Sequence, residues 1–376
     1  MSVPTKYFQG IVQVVAGLAL AAFPAFFLAI FARIAPIEQQ GFLAVALAIG
    51  SYAAAVLCAF VVESPLATPG AAPPRVLPRW MAAVTAGSGA LLVFGPSVPS
   101  APILFLGVVG LSSGLLMARS IDIVTGRWKT EALAAAILLT GCTTGLVLSF
   151  EHNPHSARVL VIGVVLAVLT RLWRAPRDPQ SLRPHHTRRA AWVTGETAVV
   201  GAVQPALTSL ILVILGPAAS VTFRVVSTIT GALEPIIAYG RMRLLAHGHR
   251  GEITIVAAIF AVGVAVLFGA ALAGLWHLIF GPAWSGVTYV GLLFACLWKL
   301  LMLVTTVPFA ALRREGQTAV VFWVRCLGTL VYMVLGVSFV LIFRTPTAAF
   351  IAFALAEAVS FPIYYLAAKR TTGKIA

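Results

Sequence analysis

Residues 24–50 read PAFFLAIFARIAPIEQQGFLAVALAIG, and residues 205–231 read PALTSLILVILGPAASVTFRVVSTITG. At a gapless offset of 181, Pro24 falls on Pro205, Pro36 on Pro217, Phe42 on Phe223 and Gly50 on Gly231. Ala21, Ala25, Ile30 and Val45 match Ala202, Ala206, Ile211 and Val226 in the same register. Farther on the offset drifts to 186, where Phe94-Gly95-Pro96 meets Phe280-Gly281-Pro282. Apolar sequences agree by chance more readily than most. Paired prolines and a repeated Phe-Gly-Pro turn do not follow from apolarity, so the chain reads as an internal duplication.

Around this pair the whole chain is apolar. Of its 376 residues 60% are hydrophobic and only 10% charged, against about 25% charged in soluble domains. Stretches long enough to cross a bilayer, about twenty residues each, recur from end to end. We read twelve, at 8–34, 42–62, 80–98, 101–118, 131–150, 159–173, 192–215, 218–240, 253–280, 286–311, 317–343 and 347–368. The first is longer than the apolar core of a cleavable leader, about 7–15 residues, and reads as a retained membrane helix. The expected fold is an all-α polytopic membrane protein with about 12 transmembrane helices. They form two parallel six-helix lobes, residues 1–173 and 192–376, joined by a basic cytoplasmic linker at 174–191. Six spans return the chain to its starting side, so the lobes share an orientation and a pseudo-twofold axis along the membrane normal.

The net charge of +15 does not indicate a nucleic-acid partner, because the cations sit in short loops between apolar segments rather than on one face. With both termini in the cytoplasm, twenty Lys and Arg residues fall on the inner side, six of them being Arg171, Arg174, Arg177, Arg183, Arg188 and Arg189. Only Arg33, Arg158 and Arg344 fall outside. That asymmetry is the positive-inside pattern, and one missed span would invert it for every later loop. The expected location is the cytoplasmic (inner) membrane of a bacterium. The outer turns are too short to carry a catalytic constellation, so no enzyme is expected.

Six charged residues lie well inside spans: Glu196, Arg224, Glu234, Lys299, Arg325 and Glu357, all in the second half. A charge at a helix centre costs about 2.5–3.5 kcal/mol on insertion scales, so each needs a partner, a watery cavity or a ligand. From a rise of about 1.5 Å per residue, Arg325, Glu357 and Lys299 reach the deepest levels. Arg325 is the expected partner of Glu357, with Lys299 sharing the acid. Pro24 and Pro205 each remove one helical hydrogen bond and are candidate hinges; a static kink is the alternative. The pairs Gly110/Gly114 and Gly141/Gly145 have the spacing of close helix packing. Cys58, Cys142, Cys296 and Cys326 all lie in apolar segments and read as small buried hydrophobes. His152 and His155 share a turn, but that spacing alone is no metal site. No cofactor and no metal are expected, and a monomer is.

Two superfamilies have twelve spans in parallel halves. The loop ESPLATPGAAPPRVLPR (63–79) lacks the Asp and basic pattern that marks the major facilitators. Three stretches instead resemble the multidrug/oligosaccharidyl-lipid/polysaccharide (MOP) exporter superfamily, nearest its O-antigen-type flippases. They are the hairpin from Phe26 to Val62, the turn IFGPAWSGVTYVGLLFACLW from Ile279, and the last two spans from PFAALRREGQ (308–317) to AFALAEAVSFPIYYLAAKR (352–370).

The resemblance implies two lobes around a cationic cavity. It implies a polyprenyl-diphosphate-linked oligosaccharide as substrate, moved for cell-surface polysaccharide assembly, and coupling to a proton, to sodium or to the membrane potential. Arg33, Arg119, Arg224, Lys299 and Arg325 are the candidate cavity cations, with Arg33 and Arg119 at the mouth. Glu196, Glu234 and Glu357 are the candidate ion-coupling acids. The first lobe shows little intramembrane charge for such a role. Two other readings stand beside this one: an ion-coupled drug or metabolite antiporter, MATE-like or major-facilitator-like, and a non-transporting cell-envelope assembly partner with Arg325 and Glu357 as a structural pair.

Overall fold

The computed structural model describes residues 3–63, 77–96, 99–124, 126–173, 187–237, 250–314 and 318–372. Arg174, Arg177 and Arg183 of the linker, Arg241 and Arg243, and most of the loop between the second and third segments lie outside them. Among the described residues the regular structure is entirely helical. The chain divides into two compact units, Met1–Gly201 and Ala202–Ala376.

The first unit contains α1 (Val3–Ile34), α2 (Ile37–Cys58, with a π turn over Ala59–Glu63), α3 (Leu77–Phe94), α4 (Ala101–Val124), α5 (Trp128–Phe150), α6 (Ser156–Trp173) and α7 (Thr187–Gly201). The second contains α8 (Val203–Leu215), α9 (Pro217–Gly231), α10 (Arg250–Leu272), α11 (Leu275–Phe280), α12 (Tyr289–Arg314), α13 (Thr318–Phe343) and α14 (Pro346–Thr372). All twelve predicted segments are helical. Nine helices among the described residues are long and apolar enough to cross a membrane, and α10 with α11 makes a tenth if that bent pair is one span. The third segment is a shorter apolar helix, and the eighth is helical over Pro217–Gly231.

The repeat governs local structure first. Pro36 caps the start of α2, and Pro217 opens α9 directly after Gly216 at φ 89°. Proline suits these positions because the first helical N–H groups have no partner inside the helix. The two candidate hinges differ. Helix α1 runs unbroken through Pro24. The seventh segment turns at Ala202 between α7 and α8, where Pro205 cannot donate to the carbonyl of Gly201. That break coincides with the boundary between the units.

Packing repeats as well. In the first unit α1 packs on α2 and α5, α2 on α4, and α6 on α4 and α5. In the second unit the corresponding partners meet: α8 with α9 and α13, α9 with α12, and α14 with α12 and α13. Glycines set the closest approaches. A Cβ on Gly141 of α5 would sit 2.8 Å from the Cα of Gly163 on α6, and one on Gly145 would sit 2.8 Å from the carbonyl of Ser156. Gly107, Gly110 and Gly114 of α4 lie against Leu92, Ser88 and Thr85 of α3. The two predicted small-residue pairs therefore serve close helix packing.

A buried charge network

The first unit holds five ionised side chains at one end of α4, α5 and α6. Asp122 on α4, Glu131 in the first turn of α5 and Arg171 near the end of α6 are each at most 1% exposed. Arg171 Nε lies 3.7 Å from Asp122 and 3.4 Å from Glu131. Arg119 Nε donates to Glu131 at 3.0 Å, while its guanidinium lies against Gly17 of α1. Arg127 pairs with Asp122 and donates to the Arg171 carbonyl at 3.1 Å. Three helix ends are thereby fastened together in a setting where one uncompensated charge would cost several kcal/mol, by order of magnitude. The expectation that the first half lacks buried charge is thus incorrect. Asp122, Glu131 and Arg171 sit near helix ends, where sequence position alone reads as loop. Arg119, expected at a cavity mouth, is instead engaged by Glu131.

Candidate functional site

In the second unit four of the predicted residues occupy adjoining elements. Arg224 on α9 is buried, and its Nη1 reaches Gln204 Oε1 of α8 at 3.4 Å. One turn beyond α9, Glu234 accepts a hydrogen bond from Lys299 Nζ of α12 at 2.6 Å, and it acts electrostatically on Arg224 as well. Lys299 is 1% exposed and Glu234 57%, so the cation is enclosed while its carboxylate reaches outward. The Lys299 ammonium also lies 3.9 Å from the centre of the Trp298 ring, a geometry in which the ring's negative face stabilises a cation. The partner of Lys299 is therefore Glu234, in place of the expected Glu357. Helix α9 ends at Gly231 and the chain turns over 232–237, which brings Glu234 across to α12. That turn is a tertiary event with no signature in hydropathy.

Glu357 of α14 is buried and held by hydroxyls. Thr305 of α12 donates to Oε1 and Tyr332 of α13 to Oε2. Tyr332 in turn accepts from Trp298 Nε1 at 2.8 Å, and Thr305 also lies 3.0 Å from the Met302 carbonyl. Phe353 packs on Trp298 and Tyr332, with ring centres 4.6 and 5.5 Å away. Trp298, Tyr332 and Thr305 carry much of this site, yet none was singled out from the sequence. Spacing holds a partial signal for two of them: Trp298 adjoins Lys299, and Thr305 lies on the same helix. Arg325, expected beside Glu357, has its guanidinium 4.4 Å from the centre of the Phe309 ring.

The remaining candidates belong to the first unit. Arg33, in the last turn of α1, donates to the Ala29 carbonyl at 2.7 Å. Its guanidinium lies 4.4 Å from the centre of the Phe150 ring, and its carbonyl meets His152 Nδ1 at 3.1 Å. Glu196 is half-buried on α7. An apolar recess of about 470 Å³, lined by Phe42, Val45, Ala101, Pro102, Phe105 and Leu106, includes none of the predicted residues. No cluster of potential metal ligands occurs among the described residues.

No protein-family profile matches the sequence, and neither does any curated relative. Solved structures do match in fold. The lipid II flippase MurJ in an inward closed conformation superposes with a TM-score of 0.53, covering 97% of this chain and 88% of the other at 11% identity. A mutant of the Vibrio cholerae MATE transporter VcmN superposes with a TM-score of 0.55, covering 98% and 96% at 13% identity. Both are members of the MOP superfamily. The chain has the fold they share, which agrees with the resemblance read from its sequence.

Proposed function

We propose that the protein flips a polyprenyl-diphosphate-linked oligosaccharide across the cytoplasmic membrane for cell-surface polysaccharide assembly. The observation that carries this reading is the enclosure of Arg224 and Lys299 around one carboxylate, Glu234, in a chain with the fold of a lipid flippase. Two buried cations against one acid leave positive charge for an anionic headgroup, and fixed cations act strongly where water is scarce. The oligosaccharide rides with the diphosphate, so the protein must recognise charge and lipid while tolerating the sugar.

The reading includes two lobes, 1–173 and 192–376, in the inner membrane with both termini cytoplasmic. The basic loop pattern supports that orientation. The partners are the substrate, the surrounding lipids and a coupling proton or sodium ion. The protein works as a monomer, without cofactor or metal. Pro205, at the break between α7 and α8, is the better placed hinge.

A second reading, an ion-coupled antiporter of drugs or metabolites, draws on Glu357. A buried carboxyl between two hydroxyls suits a small cation as well as a structural role. The MATE likeness in fold supports it equally.

The deciding experiment reconstitutes the purified protein in liposomes with a fluorescent polyprenyl-diphosphate oligosaccharide and follows its appearance on the opposite leaflet. Translocation above protein-free vesicles, lost in Lys299→Met and Arg224→Met, is expected. No translocation, with ion-driven movement of a soluble organic cation in the same vesicles, transfers the assignment to the antiporter. Neither activity leaves the assembly partner.

A further inference from the structure

The two units treat one helix seam differently, and the difference lies in a few side chains. In the first unit α3 lies along α4, with Thr85 against Gly114, Ser88 against Gly110 and Leu92 against Gly107. At the repeat offset of 186 the α4 glycines become Leu293, Cys296 and Leu300 of α12, and the α3 positions become Ala271, Gly274 and Leu278. Leucines in place of glycines hold the helices apart. The covering segment also leaves. At Gly274, which adopts φ 73°, the chain bends by 68° between α10 and α11. A left-handed residue of this kind ends a helix at little cost only as glycine.

The outcome is an uncovered apolar stripe along α12. Leu293 is 54% exposed and Leu300 39%, with Tyr289, Val290, Leu297 and Val304 exposed on the same side. Their spacing of three and four residues places them on one helix face. Leu278, which would lie opposite Leu293 by the repeat, is 59% exposed on α11. Helix α10 is only loosely packed on α12, and is seated instead at Gly263 against Leu233 and Ile236. Those two residues flank Glu234. The stripe on α12 thus runs down to Leu300, next to Lys299, while α10 touches the turn that holds its carboxylate partner.

We infer that the seam between α10 and α12 receives the hydrocarbon chain of the lipid-linked substrate, with its anionic headgroup directed to Lys299 and Arg224. This rests on the flippase reading and names where the lipid part of that substrate sits. An apolar slot ending at an enclosed cation is complementary to an amphiphile whose charge adjoins a long chain. A soluble substrate would use only the charged end. The stripe from Val290 to Val304 spans about 21 Å at about 1.5 Å per residue, more than one leaflet's share of a hydrocarbon core about 30 Å thick.

The test places the photoreactive residue p-benzoylphenylalanine at Leu293, at Leu297 and, as a control, at the lipid-exposed Leu327 of α13. All three sites are exposed, so the added ring displaces no core residue. Full-length protein in phosphatidylethanolamine/phosphatidylglycerol vesicles is irradiated with a tritiated long-chain polyprenyl diphosphate that carries no sugar. Adducts at Leu293 and Leu297 several-fold above Leu327, competed by unlabelled polyprenyl diphosphate and not by inorganic diphosphate, are expected. Equal adducts at all three positions identify the stripe as ordinary bilayer-facing surface and overturn the inference. Translocation by the same preparations separates the two proposals. Transport with uniform labelling sinks the seam alone, whereas seam labelling without transport upholds the subsite and sinks the flippase.

Discussion

Arg171 and Lys299 are both enclosed cations, and they differ in what their partners face when the cation is removed. Asp122 and Glu131 around Arg171 have no access to solvent. Arg171→Met therefore leaves carboxylates buried, at a cost of about 3–5 kcal/mol, measured as a loss of resistance to denaturation in detergent. Adding Glu131→Gln to that variant recovers part of the loss, because one stranded charge disappears. Glu234 is more than half exposed and can be solvated once Lys299 is gone. Lys299→Met should thus lower stability by the smaller worth of a charged hydrogen bond, about 1.5–3 kcal/mol, while abolishing translocation. Lys299→Arg keeps charge and should retain part of the activity. A Lys299→Met protein with unchanged translocation would remove this residue from the substrate site. At this scale the sequence showed which charges lie deep in the second half. It did not show that Lys299 chooses Glu234 over Glu357, since that choice depends on a turn after Gly231 and on hydroxyls from two other helices.

Helices meet in this protein wherever glycine lets their backbones approach. Gly141 and Gly163 face each other so closely that an added methyl group must push α5 from α6. Gly141→Ala should cost about 1–3 kcal/mol, the usual range for overpacking. Gly87 on α3 has nothing within 4 Å of where its Cβ would stand. Gly87→Ala should therefore be neutral or stabilise the helix by about 0.5–1 kcal/mol. Thermal unfolding of the two variants side by side checks the contrast; equal effects would mean that the α5–α6 contact is looser than described. The spacing of Gly110, Gly114, Gly141 and Gly145 was legible as a packing signal. Their partners were not, because a glycine pattern states that something comes near without stating what.

The whole molecule turns on the break at Ala202. Pro24 and Pro205 align in sequence, yet α1 stays straight enough to remain one helix while the seventh segment divides between the two units. Pro205→Ala restores a donor for the Gly201 carbonyl and should slow translocation without reducing the amount of folded protein. Pro24→Ala should change the rate less. Initial rates in proteoliposomes decide this, and equal rates for both variants and the parent would exclude a hinge at either site. The loop charges make a separate prediction at the same scale: cysteines placed near the two termini should both react only from the cytoplasmic side. Labelling of one terminus from outside would mean an odd number of crossings.

Hydropathy, the proline register and the distribution of Lys and Arg were enough to set the class of fold, the apolar segments and the repeat. Those properties depend on transfer of each segment between water and lipid, and transfer is summed along the chain. The buried network of Arg119, Asp122, Arg127, Glu131 and Arg171, the pairing of Lys299 with Glu234 and the open seam along α12 came only from the tertiary structure. Each depends on which helix faces which, and a charge near a helix end or a leucine on a stripe has the same transfer energy whatever stands opposite. The fold supplies the neighbour, and the neighbour determines whether a side chain fastens helices, holds a ligand or faces lipid.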